Sequence, residues 1–319
     1  MITTNKSMML EPWTECNNFC KFCYLGEKNR NTPIDIKLKN LNAISKILYD
    51  KFFIADEQYK AVGLMGGEFF QGQMSDLKVK LKFFEIAKQI FKYIEENKIR
   101  DFWCYCTLTI GDQKDLYDLI DLFDKSITNK EEHHFWILVS YDSWGRFNQP
   151  GKFENWNKHM LNLQKYPFVR FNITSILSQD FCEKVLSNDI NIKELQNKYK
   201  TKFFFKQPTG TLDCESKQEF SELNNRWFVK RKTFIDFLKK LKEDDEELFN
   251  EVLNIDLRAD DILNDAFDFE LKHRDKETWV ETDNEVIDKC GHAKYYQCYS
   301  DSDGCCVCDY LKIKNMNME

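Results

Sequence analysis

The sequence predicts an α/β fold: a partial (β/α)6 barrel, then a helical insert, then a small cysteine-rich C-terminal β-hairpin extension. Three features predict it. Between about residues 7 and 208, short apolar runs alternate with longer segments of helical period, giving six β/α units and a parallel sheet. Parallel crossovers are right-handed, so six units in series curl into an incomplete barrel. Past Pro208 the alternation gives way to a charged helical stretch, and the chain then ends in a cysteine-rich strip around the turn Asp301-Ser302-Asp303-Gly304. The expected divisions are residues 1–210 for the core, 211–285 for a charged helical insert or cap, and 286–319 for the extension.

Each element follows from its pattern. Ser7–Leu10 is a brief apolar run ending in Glu11-Pro12-Trp13, the first strand. Leu41, Ile44, Leu48 and Phe52 recur at helical spacing. Ala61–Met65 is the second strand, and Phe83, Ala87, Ile90, Phe91 and Ile94 mark the second helix. Asp101–Ile110 is β-rich, and Leu116, Leu119, Ile120 and Phe123 return to the helical period. His134–Tyr141 has the continuous apolar character of a buried strand. Phe153, Trp156, Met160 and Leu163 share one helix face. Phe168–Leu177 and Lys202–Lys206 complete the strands, with helix expected around Glu183–Tyr199. In the insert, Phe234, Phe237, Leu238 and Leu241 fall on one face, and Lys242–Glu247 reads as a solvated helix face or turn.

Composition narrows the function classes. The 319 residues are 42% hydrophobic, with 27 Phe, 13 Tyr and 7 Trp, enough apolar surface for a large core. A net charge of −7 argues against a general basic footprint for nucleic acid. Met1–Pro12 has no apolar stretch of signal-peptide length, and no run approaches the roughly 18 apolar residues of a membrane helix. A cytoplasmic chain is expected, with no membrane partner. Cytosolic thiols stay reduced, so 12 cysteines point to metal ligation more than to disulfides.

The strongest motif is Cys16-Asn17-Asn18-Phe19-Cys20-Lys21-Phe22-Cys23-Tyr24, on the loop after the first strand. Closely spaced thiolates of the pattern C-x3-C-x2-C suit three corners of a 4Fe-4S cluster. A tetrahedral zinc site needs a fourth ligand, and no other Cys or His lies nearby in sequence. Three ligands leave one iron open for a substrate or cofactor.

This segment resembles the radical SAM superfamily, and its Cys-Asn-x-x-Cys-x-Phe-Cys-Tyr form looks most like the branch that modifies peptides and proteins. The resemblance implies that the open iron binds S-adenosyl-L-methionine, that Phe22 lies near the adenine, and that Tyr24 belongs to the same cofactor-binding set. Gly66-Gly67-Glu68, after the second strand, matches the family's GGE motif. Glycine permits close backbone approach, and a carboxylate can accept from the cofactor's ammonium. Ser140-Tyr141-Asp142-Ser143 resembles a Ser-x-Asp-Gly segment of the branch, with Ser143 in place of glycine, and Ser140 is expected at the cofactor's ribose or carboxylate. Asn172 is a further expected polar contact. Thr107-Leu108-Thr109 stands where the branch often has Thr-Asn-Gly.

The C-terminal strip Cys290-Gly291-His292 … Asp303-Gly304-Cys305-Cys306-Val307-Cys308 resembles the half-motif of twitch and SPASM extensions, which bind auxiliary 4Fe-4S clusters. Alternation along the last strand puts Cys306 and Cys308 on one face and Cys305 on the other. Cys290, Cys306 and Cys308 are the preferred ligands of one second cluster, Cys298 comes next and Cys305 last. The rival is a zinc site from the same cysteines with His292. Cys104 and Cys106 share a strand face and are expected to be packed; Cys182 and Cys214 stand alone. His133 and His134 face opposite sides of a strand, so they do not share a metal.

The resemblance implies a reaction. A reduced cluster passes one electron to the sulfonium of S-adenosylmethionine, giving methionine and a 5′-deoxyadenosyl radical that takes hydrogen from a substrate carbon. The cofactor carries the hard chemistry and the protein supplies orientation and dryness. An electron donor such as flavodoxin or ferredoxin is expected. The substrate is expected in a peptide or protein, although only 15 residues precede Cys16, too few for a leader-recognition domain. A nucleoside, nucleotide or other small molecule is the alternative, and a non-enzymatic zinc-stabilised binding module is a distant one.

Overall fold

The computed structural model of the chain describes residues 6–16, 18, 20, 31–143, 145–147, 149–206 and 231–249. Strands and helices alternate along them: β1 Ser7–Leu10, α1 Ile34–Leu48 with a π-helical continuation over Tyr49–Ile54, β2 Tyr59–Leu64, α2 Leu77–Glu95, β3 Ile99–Tyr105, α3 Lys114–Ser126, β4 Phe135–Tyr141, α4 Lys152–Leu163, β5 Val169–Ile176, α5 Gln179–Leu186, α6 Ile192–Tyr199, β6 Phe203–Lys206 and α7 Arg231–Asp244. The six strands form one parallel sheet in the order β1-β2-β3-β4-β5-β6, compatible with a partial barrel. The α/β class read from the alternation is therefore observed.

By internal contacts the chain divides into two compact units. The first comprises Met1–Phe19, Leu25–Ser140 and Arg146–Ile173; the second comprises Cys20–Tyr24, Tyr141–Gly145 and Thr174–Glu319.

In the first unit the register runs Gly63↔Trp103↔Trp136 across β2, β3 and β4. Gly63 is required there, because a Cβ would stand 1.8 Å from the Trp103 indole. The helical side of this sheet is closed by Phe91 of α2, Phe102 of β3, Phe123 of α3 and Phe135 of β4. Their ring centroids lie 5.0–5.5 Å apart in edge-to-face contacts, the arrangement the ring quadrupole favours. The helix faces read from spacing are the buried ones: Leu41, Ile44 and Leu48 of α1, and Phe83, Ala87, Ile90, Phe91 and Ile94 of α2. Asp76 starts α2 by accepting from the N–H groups of Lys78 (2.9 Å) and Val79 (3.1 Å).

In the second unit Tyr141 packs on Phe203 at 5.6 Å and Phe181 on Phe205 at 6.0 Å. Phe237 of α7 meets both Phe181 and Phe205, and Phe237, Leu238 and Leu241 are buried, as their spacing predicts. Lys242 to Asp244 are exposed, as a solvated helix end should be.

Two boundaries differ from expectation. The third strand stops at Tyr105, not Ile110, because the backbone turns at Leu108, whose φ is 56°. The helix expected around Glu183–Tyr199 is two helices: Asn188 adopts φ 64°, and the Asn191 side chain caps α6 by accepting from Glu194 N–H at 3.1 Å. The remainder of the 211–285 insert and the whole 286–319 extension lie outside the described residues. So do Phe22, Cys23, Tyr24, Cys290, Cys298, Cys306 and Cys308. No helix among the described residues is long and apolar enough to cross a membrane.

Candidate functional site

The site of interest lies in the first unit, where the loops after β1, β2 and β3 meet. The chain leaves β1 and runs through Trp13-Thr14-Glu15 to Cys16. Beside it passes Gly66-Gly67-Glu68, fresh from β2. Met65 N–H donates to Leu10 O at 2.9 Å, Gly67 N–H to Trp13 O at 3.4 Å, and Glu68 N–H to Glu15 O at 2.9 Å. A Cβ on Gly66 would stand 2.2 Å from Trp13 O, and one on Gly67 2.1 Å from Thr14 O. Backbone cannot yield as a side chain would, so both positions require glycine. The close approach that the motif signals is thus to the chain's own segment leading into Cys16.

That segment is held from the side as well. The buried Trp13 indole donates to Glu68 O at 3.0 Å. Lys37 of α1, also buried, pairs with the Glu15 carboxylate, donates to Gln73 O at 2.9 Å, and lies 5.3 Å over the Trp13 ring. A buried ammonium is tolerable only when its donors are taken in this way.

Glu68 organises the next layer. Its side chain is 1% exposed. Oε1 accepts from the N–H groups of Phe69 (2.9 Å) and Phe70 (3.1 Å). Oε2 accepts from Thr107 N–H (2.8 Å) and the Thr107 hydroxyl (2.5 Å). Each oxygen thus takes two donors, so an added ammonium at this carboxylate must displace one of them. Gln71 Nε2 donates to Thr107 Oγ1 at 2.6 Å and to Thr109 Oγ1 at 2.9 Å. Thr109 Oγ1 donates to Asn18 Oδ1 at 2.7 Å. Lys152, at the start of α4, donates to Asn18 O at 3.0 Å. Leu108, between the two threonines, is a buried non-glycine residue with φ of 56°. Such a conformation costs about 1–3 kcal/mol and concentrates at functional sites.

Charge near Glu68 shapes the neighbouring thiols. Burial first, and the Glu68 charge second, push the Cys104 thiol up. The same two causes, with Cys104 added, raise Cys106. Both remain neutral and packed, Cys104 wholly buried and Cys106 nearly so, which is the role their strand positions predict. On α4, burial is also the main cause that lowers His159 below the ordinary histidine value. Its ring nitrogens face Ile110 O and the Tyr117 hydroxyl, each at 3.0 Å.

Of the expected site residues, Gly66, Gly67 and Glu68 come together with the segment before Cys16. Ser140 and Asn172 lie on the half-exposed faces of β4 and β5. In the second unit, Ser143 donates to Asp180 Oδ2 at 3.0 Å and accepts from Lys184 Nζ at 3.1 Å, which ties the end of β4 to α5. Residues missed in the sequence are Asn18, Gln71, Lys37 and Lys152. Asn18 sat in plain view as a spacer between two cysteines, whereas the other three carry no periodic or motif signal.

Cys16 is half-buried and Cys20 buried, and neither is in a disulfide. In sequence, Cys16, Cys20 and Cys23 fall within eight residues. Between the first two, Asn18 is 2% exposed and its Nδ2 has no hydrogen-bond partner. Buried N–H donors beside thiolates are what a sulfur-rich cluster uses, so these residues fit such a group. Among the described residues, no group of three or more His, Cys, Asp or Glu side chains is gathered to hold a metal ion. No family model matches the chain, and no curated protein matches it.

Proposed function

We propose that this chain is a radical SAM enzyme of the partial-barrel type, acting on a peptide or protein. The observation that carries the reading is one of placement. Three cysteines in C-x3-C-x2-C spacing follow the first strand of a parallel sheet, and Gly66-Gly67-Glu68 follows the second, bonded to the residues just ahead of Cys16. Bound at Cys16, Cys20 and Cys23, a 4Fe-4S cluster with S-adenosylmethionine would supply one-electron cleavage of the sulfonium and a carbon radical able to take hydrogen from an unactivated carbon.

The chain's own residues have plainer tasks. Gly66 and Gly67 let two backbones touch and so fix where Cys16 begins. Lys37, Glu15 and Trp13 keep that segment from moving. The Glu68 network locks the loop after β3 against the cysteine loop through Thr109 and Asn18. The proposal extends to a second 4Fe-4S cluster on Cys290, Cys298, Cys306 and Cys308, with zinc as its rival, and to a flavodoxin- or ferredoxin-like electron donor.

Anaerobic reconstitution of the full chain tests the reading. About four irons are expected at the N-terminal loop, lost when Cys16, Cys20 and Cys23 are all replaced by Ala. Dithionite and S-adenosylmethionine should then yield 5′-deoxyadenosine. Iron unaffected by the triple replacement, or zinc with no cleavage of S-adenosylmethionine, overturns it.

A further inference from the structure

The polar network has a direction, and Glu68 sets it. Glu68 Oε2 accepts the hydrogen bond of the Thr107 hydroxyl. With its proton committed, Thr107 Oγ1 can only accept, and the donor facing it is Gln71 Nε2 at 2.6 Å. The second hydrogen of that nitrogen goes to Thr109 Oγ1 at 2.9 Å. Thr109 still has one proton to give, and Asn18 Oδ1 receives it at 2.7 Å.

This sequence of donors fixes which way the Asn18 amide faces. Its oxygen must meet Thr109. Turning the amide over would set two donors, Nδ2 and Gln71 Nε2, against one hydroxyl and cost Thr109 its acceptor. Lys152 Nζ meanwhile holds Asn18 O at 3.0 Å, so the main chain at this residue is fixed too. The amide nitrogen is left over: buried at a residue only 2% exposed, and without a partner. An unsatisfied buried donor is destabilising, and native proteins keep one where something else accepts from it. Asn18 lies two residues after Cys16 and two before Cys20. The acceptor chemistry such a loop offers is sulfur.

We infer that Asn18 Nδ2–H donates a hydrogen bond to a sulfur of the iron–sulfur cluster held by this loop and raises its reduction potential, with Thr109 and Gln71 as the residues that aim it. The inference rests on the cluster reading proposed above. Hydrogen bonds to cluster sulfurs are an established lever on potential, because the donor stabilises the reduced, more negative state.

The test uses the full chain labelled with 15N only at the side-chain amide of asparagine, reconstituted with iron and sulfide and reduced. Pulsed EPR should show a 15N hyperfine coupling to the cluster. In Asn18→Asp, which keeps the oxygen that Thr109 donates to and has no side-chain nitrogen, the coupling should vanish and the potential should fall, at equal iron content. If Asn18→Asp does not fold, Thr109→Val replaces it: losing the hydroxyl that aims the amide should weaken the coupling. No coupling in the native chain with iron bound, or a coupling unchanged in the variant, overturns the inference and leaves the cluster reading intact. Absence of bound iron overturns both.

Discussion

Two clusters in the first unit are both buried and hold by opposite means. Behind the sheet, Phe91, Phe102, Phe123 and Phe135 meet edge to face. Where the loops after β1 to β3 meet, Glu68, Thr107, Gln71, Thr109 and Asn18 meet donor to acceptor. Burial stabilises the aromatic cluster in proportion to area, and the ring quadrupoles add only a modest preference for edge-to-face geometry, so such a cluster can repack. A polar network has one arrangement that satisfies every group, and each unsatisfied member is costly. The first supplies stability. The second supplies a fixed geometry, and it leaves the Asn18 Nδ2 donor without a partner, at a residue that lies between Cys16 and Cys20 in sequence.

Substitution should separate these roles. The largest stability loss is expected for Phe102→Ala, about 3–5 kcal/mol, from transfer and cavity effects together. Urea unfolding measures it, and iron bound per folded molecule should be unchanged. Glu68→Ala strips the acceptor from three backbone N–H groups and a hydroxyl, and should cost about 2–3 kcal/mol, with most of the N-terminal iron also lost. A Phe102→Ala variant that loses iron while folded, or a Glu68→Ala variant that keeps it, would erase the division.

The smallest effect concerns His159, which anchors the end of the loop after β3 at Ile110 O. Burial holds its pKa below the ordinary 6.5, while Lys158 opposes its charge and Asp112 favours it. The unfolded chain therefore takes up this proton at higher pH than the folded one. Stability from the neutral ring is present above pH 6.5 and is lost as pH falls through the lower folded value. Thermal melts of the native chain and His159→Asn should converge as pH drops below 6.5. Parallel curves would show that the folded and unfolded chains take up this proton at the same pH.

Much of the fold was legible because its signals are local. Leu41, Ile44 and Leu48 declare one helix face, and the apolar run at Phe135–Tyr141 declares a buried strand. Leu108 was not legible: nothing in Thr-Leu-Thr announces a left-handed turn, and the β propensity of its neighbours argues for more strand. Asn188 and Asn191 are residue types that tolerate a helix break, but the break itself is seen only in the Asn188 backbone and the Asn191 cap. The site divided in the same way. Three cysteines and Gly-Gly-Glu stand out by spacing, whereas Gln71, Lys37 and Lys152 gain meaning from partners 36 to 134 positions away.

By itself, then, the sequence determined the α/β class, the buried helix faces and a set of three closely spaced cysteines, because periodicity and spacing are properties of the chain. Only the tertiary structure decided why both glycines are needed and which way the Asn18 amide points. Those depend on contacts between loops far apart in sequence, where one carboxylate sets the direction of every hydrogen bond that follows.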